Sequence, residues 1–161
     1  MRSALFALAI SLTACLPYTP PAPPKPRSAM LVPAPFDRTW DAVIDVFARE
    51  VITIETMERA SGFIVASREG IANRTRSDSI AILALADCGK GGEGFTNVVS
   101  PFLPSSAKYN VLVRSAGESS TVQVTLKFVR VGVKGTSECT STGRFEEKFE
   151  SLVKSAAVTP R

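Results

Sequence analysis

The sequence predicts an α+β fold, a single curved antiparallel sheet carrying an N-terminal and a C-terminal helix on one face. Three patterns predict it. Trp40, Val43, Ile44, Phe47 and Val51 fall on one side of a helix. Residues 108–114 and 121–128 alternate apolar and polar side chains around a turn, as the two arms of a half-buried hairpin do. Phe145, Phe149, Leu152, Val153 and Ala156 repeat at helical spacing near the C-terminus. The chain has 161 residues, 45% of them hydrophobic and 21% charged, which suits one domain with one core.

The N-terminus reads differently. Met1, Arg2 and Ser3 carry one positive charge and precede an apolar run over residues 4–12. A bilayer-spanning helix needs about 20 apolar residues, so this shorter run suits the middle of a cleaved signal peptide, residues 1–14. Leu12, Thr13, Ala14 and Cys15 resemble the lipobox of bacterial lipoproteins. The resemblance implies that the Cys15 sulfur receives a diacylglyceryl group, that the chain is cut before Cys15, and that the new amine is acylated, for example with palmitate. Each buried methylene contributes about 0.8 kcal/mol, so three such chains make a permanent anchor. Leu16 stands where an inner-membrane retention signal of that family carries Asp, so the expected address is the periplasmic side of the outer membrane. The alternative is an ordinary secretory signal with an incidental cysteine.

Residues 16–28 hold six of the eleven prolines. Proline fixes φ and lacks an N–H, so this segment forms neither helix nor sheet and is expected as a tether. In a polyproline II state its thirteen residues reach about 40 Å. A disordered segment tethers equally well.

From residue 29 to about 158 the pattern is that of a folded domain. Residues 29–32, broken by Pro33 and Pro35, read as an edge strand. Asp37 is expected to cap a helix over residues 37–50. Residues 51–57 and 62–69, rich in β-branched side chains, form a hairpin. Residues 79–86 are apolar on both faces and read as a central strand, while 88–106 are loop-like. In the second hairpin the apolar phase shifts after Phe128 to Val129, Val131 and Val133, which predicts a bulge or twist. A helix, several antiparallel strands and a second helix give a helix-grip-like order. The stretch from Pro35 through Trp40, Ile52, Ile54, Gly62 and Ile64 resembles domains of the lipoprotein subunit of the outer-membrane barrel-assembly machinery. That resemblance implies a scaffold that binds other envelope proteins.

Chemistry is bounded by the absence of histidine. Ser-His-Asp and Cys-His catalysis and imidazole metal sites are thereby excluded, and no metal or cofactor is expected. Net charge is +4 with a pI of about 9.2, but the 19 basic and 15 acidic residues are scattered, so no nucleic-acid partner is expected. Cys88 and Cys139 are the cysteines left after Cys15, and in an exported chain they are expected to form a disulfide. Two buried thiols or a redox pair are the alternatives, although no CxxC spacing is present. Gly89, Gly91 and Gly94 match GxGxxG, but residues 95–104 contain two prolines and no amphipathic helix, so no nucleotide is expected. Asp78, Asp87, Glu146, Glu147 and Glu150 are candidate carboxylates for hydrolysis, yet helix glutamates beside Lys148 and Lys154 read more simply as a solvated face. Arg68, Arg74 and Arg76 are candidates for an anionic headgroup, or plain surface. Trp40, Phe47, Phe145 and Phe149 line either a filled core or a hydrophobic pocket. The expected function is a non-enzymatic, lipid-anchored scaffold with protein partners. The alternative is a carrier or sensor of a hydrophobic ligand held between sheet and C-terminal helix.

Overall fold

The structure is a computed structural model that describes residues 19–71, 84–89, 103–132 and 135–159. Strand β1 is Met30–Val32, helix α1 Phe36–Arg49, β2 Thr53–Glu58, β3 Phe63–Glu69 and β4 Ala86–Asp87. Then follow β5 Ser106–Ala116, β6 Ser119–Gly132, β7 Gly135–Ser141 and helix α2 Arg144–Val158. The strands form one antiparallel sheet in the order β2-β3-β5-β6-β7-β4, with β1 also paired to β6. The helices pack on each other and on β5 and β6, so the α+β arrangement with both helices on one face is present.

Alternation in the β5–β6 hairpin places Ala107, Tyr109, Val111 and Val113 beside Val122, Val124, Leu126 and Phe128, all buried. Lys108, Gln123, Thr125 and Lys127 take the opposite, exposed face. Only residues 117 and 118 stand between the two strands. Gly117 has φ +70° at the first turn position, as a type II′ hairpin requires. The register runs unbroken from Ala116↔Ser119 to Ser106↔Val129.

On the helix side, Phe47 of α1 meets Phe149 of α2 at 4.9 Å between ring centroids and the edge of Tyr109 at 6.1 Å. Phe145 closes the cluster against Tyr109 at 5.2 Å. Fully burying one such side chain stabilises by about 1.5–3 kcal/mol, so this joint is a main source of cohesion between the layers.

Five expectations need correction. Asp37 does not cap α1. The cap position is Pro35, without a side-chain bond, and Asp37 lies inside the first turn, where its carboxylate accepts from Arg59 at 2.6 Å. Pro35, held extended at φ −64°, starts the helix one residue earlier, and Asp37 acts there on the helix dipole instead. The expected bulge after Phe128 is also absent, because β5 and β7 hold β6 in continuous register past that point. Arg130 takes the inward position and donates through Nε to Ser137 at 3.1 Å, leaving Val131 65% exposed. A register shift occurs instead in β2, between Ile54 and Thr56.

Of the expected central strand 79–86, residues 79–83 lie outside the described residues. The described end forms β4, which sits at the edge of the sheet and pairs with β7 alone. The tether is not free along its length, since the Ala22 N–H donates to Asp87 at 3.0 Å and Arg27 reaches α2. The helix glutamates Glu146 and Glu150 are buried rather than solvated.

Two backbone positions are sterically special. Gly62 closes the β2–β3 turn at φ +71°, and a Cβ there would fall 1.9 Å from the Val113 carbonyl oxygen. Val51 ends α1 at φ +56°, with its N–H bonded to the Ala48 carbonyl and the Ile52 N–H to the Phe47 carbonyl. This is a Schellman closure with a β-branched residue in the left-handed position that glycine prefers. Among the described residues no helix is long and apolar enough to cross a membrane.

Val51→Gly is expected to stabilise the protein by about 1 kcal/mol, because the left-handed conformation costs a non-glycine residue about 1–2 kcal/mol and glycine's looser unfolded state returns part of the gain. Urea unfolding measures it, and a variant less stable than wild type contradicts the assignment. The expected disulfide between Cys88 and Cys139 is present and closes a loop with a sequence separation of 51. Its removal in a Cys88→Ser, Cys139→Ser variant is expected to cost up to about 4 kcal/mol, read in the same assay.

Candidate functional site

Strand β6 is longer than any one neighbour on its outer edge. β1 covers its start, from Met30↔Val122 to Val32↔Ser120, and β7 covers its end, from Lys127↔Thr140 to Gly132↔Gly135. Among the described residues, no strand pairs with residues 123–126 on that side. A cleft of about 460 Å³ opens there. Its walls are residues 123–126 of β6 and residues 24–27 of the tether, and its end is formed by residues 141–143 with Glu146 and Glu147 of α2.

The tether follows from β1. Continuing the β1 register sets Arg27 opposite Thr125, but Pro24 and Pro26 have no N–H with which to lengthen the strand. Arg27 turns to α2 instead. Its Nη2 donates to Glu150 at 2.9 Å, and its Nη1 donates to Glu147 at 3.2 Å and to the Gly143 carbonyl at 3.3 Å. Gly143, at φ +88°, is the N-cap of α2, so the guanidinium spans its first two turns.

Burial raises the Glu150 pKa above the ordinary carboxylate range, and the Arg27 charge works against that rise. The Val124 backbone, on the open stretch of β6, also favours the charged form. Glu150 Oε1 and Arg27 Nε are buried without a hydrogen-bond partner. Glu146 is 3% exposed, and its Oε2 accepts the Ser141 hydroxyl at 2.7 Å. Tyr109, under the aromatic cluster, is pushed up to about 12 by burial.

Trp40, Phe47, Phe145 and Phe149 are all buried, and none lines the cleft. Phe47, Phe145 and Phe149 come together, whereas Trp40 stacks with Phe36 at 5.8 Å beneath the Arg59 guanidinium. Cys15, Asp78, Arg74, Arg76, Gly91 and Gly94 lie outside the described residues. Asp87 receives the Ala22 and Gly89 N–H groups, and Arg68 lies in β3, near enough to Tyr109 to act on its charge. Among the described residues no three Cys, Asp or Glu side chains gather as a metal site. Glu146 and Glu147, candidates by charge, line the cleft, and Glu150 lies behind it, but the burial of Glu146 and Glu150 was missed because they were read by charge alone. Each directly follows a core phenylalanine, Phe145 or Phe149, which places it beside the apolar stripe.

The buried glutamate gives a pH signature. A carboxyl whose folded pKa exceeds its unfolded value adds stability that is complete below the unfolded value and is lost as pH rises through the folded one. Relative to Glu150→Gln, the wild type is therefore expected to lose stability as pH rises from about 4 toward neutrality. Urea unfolding across that range tests this, and parallel curves for the two proteins contradict it.

No protein-family model matches the chain, and no curated protein matches it.

Proposed function

We propose that the chain is an outer-membrane-anchored periplasmic lipoprotein, held by lipid on Cys15, whose domain is a non-enzymatic module for contacts with other envelope proteins. The observation that carries this reading is the Cys88–Cys139 disulfide. Disulfides persist in oxidising compartments such as the periplasm, and this one gives the domain a reason to be exported that is independent of residues 1–15. It also occupies both thiols that remain after Cys15, in a chain without histidine.

Protein contact is favoured over carriage of a hydrophobic ligand by the packing between the helices and the sheet. Phe47, Phe145, Phe149 and Tyr109 fill that space with one another, whereas a carrier needs an apolar cavity there. The resemblance of residues 35–64 to barrel-assembly lipoprotein domains supports a scaffold role. Ala22, held to the domain by Asp87, stands only seven residues after Cys15 in the sequence. The domain then works close to its membrane.

Cys15→Ala is expected to move the protein from the membrane fraction to the soluble fraction and to leave residues 1–14 attached. Intact mass spectrometry of the native protein is expected to show the acyl additions on a chain beginning at Cys15. A Cys15→Ala protein still in membranes at unchanged mass, or native protein without fatty acid, refutes the anchor.

A further inference from the structure

The open stretch of β6 is a strand edge inside a cleft, and the two features together point to a ligand. Along residues 123–126 the backbone N–H and C=O of Gln123 and Thr125 pair with β5, while those of Val124 and Leu126 turn to the other side, where among the described residues no strand lies beyond them. Unpaired strand edges template the addition of another strand, which is why proteins cover them or break them. Here the cover is a proline-rich segment that cannot serve as a full partner, because Pro24 and Pro26 bring no donor. Between cover and edge remains a space of about 460 Å³, within the range of built ligand sites.

The end of the cleft selects charge. Glu146 is buried at its floor with Oε2 held by Ser141, Glu147 stands at its rim with a side chain 70% exposed, and Glu150 lies buried one turn on with Oε1 unpartnered. Arg27 already shows what these carboxylates hold, because its guanidinium donates to Glu147, Glu150 and the carbonyl of Gly143. The acidic end and the strand edge meet in one cleft, so one ligand can satisfy both.

We propose that this cleft docks an extended, basic segment of a partner protein, which adds to residues 123–126 of β6 as a short strand and sets a Lys or Arg side chain against Glu146 and Glu147. Main-chain hydrogen bonds to the edge supply affinity, and the carboxylates supply selectivity for the charge. The inference rests on the protein-contact reading above and gives it a surface and a partner chemistry.

The test uses the full-length chain in a neutral detergent, with a fluorescent hexapeptide of alternating valine and arginine as probe and the valine–glutamate counterpart as control. Anisotropy is expected to show saturable binding of the basic peptide and none of the acidic one. Amide hydrogen exchange is expected to slow at Val124 and Leu126, whose N–H groups face the open edge. Glu147→Gln, at an exposed position that leaves the fold intact, and Glu146→Gln are each expected to weaken binding about tenfold. Equal binding of both peptides, no saturable binding, or unchanged exchange at Val124 and Leu126 overturns the proposal. If binding fails while the same full-length chain still enriches a particular envelope protein from membranes, the cleft assignment falls and the protein-contact reading survives. If both fail, both fall.

Discussion

The constraint on which the architecture turns is the length of β6. Of its fourteen residues, Ser119 to Val129 serve β5 along one edge without interruption, and that ladder sets which side chains face the helices. Along the other edge no neighbour is long enough. β1 is stopped upstream by prolines that cannot donate, and β7 ends where Gly143 turns the chain into α2. Two short strands therefore share one long edge and leave a gap, and the cleft is a geometric consequence of that mismatch. The same strand carries Val124 and Leu126, which join the buried core under the helices, so the gap is held open by a rigid wall.

Electrostatics decides what lies across the gap. A carboxylate with a side chain only 9% exposed is costly to charge, and Glu150 is in that position because it shares the inward side of α2 with Phe149 and Val153. Arg27 offsets the cost, and in doing so it converts part of a proline-rich tether into an ordered wall. Isolated surface ion pairs contribute little, as with Lys148 and Glu50 at 3.1 Å, where the lysine is 60% exposed. The Arg27 contact differs because one of its two carboxylate partners is buried, so removing the guanidinium would strand a charge rather than merely loosen a surface contact.

How much of this was legible in the sequence varied with the kind of signal. Side chains that repeat at the period of their element gave correct readings. The β5–β6 alternation, the Phe145–Phe149–Val153 stripe, the α1 face of Trp40, Val43 and Phe47, and the disulfide were all visible, because burial enforces a period and only two cysteines remain after Cys15. Signals that depend on which neighbour wins were not visible. Asp37 lost the cap to Pro35 because proline's fixed φ starts a helix without needing an N–H. The change of apolar phase after Phe128 suggested a bulge, but two flanking ladders outweighed the preference of Val131 for burial. Apolar residues on both faces suggested a central place for 79–86, yet the described end of that segment is an edge. The cleft was hidden most completely, since it comes from residues 24–27, 123–126 and 141–147 meeting in space, and no spacing in the chain announces such a meeting.

The cleft and the proposed anchor bear on each other. On that anchor, a tether docked on its own domain holds the domain nearer the lipid than thirteen free residues would, and restricts the orientation as well as the distance, because Ala22 bonds to Asp87 in β4 while Arg27 bonds to α2. On the proposed anchor, the open edge of β6 thus faces a definite direction relative to the membrane, with the tether along one side of it. An orientation fixed in this way lowers the entropic cost of meeting a partner fixed in the same membrane, since fewer relative arrangements must be given up on binding. A filled core, a tether folded back on its own domain and a strand edge left open beside that tether suit the proposed role of holding a neighbour, and each follows from where prolines and glutamates fall around a single long strand.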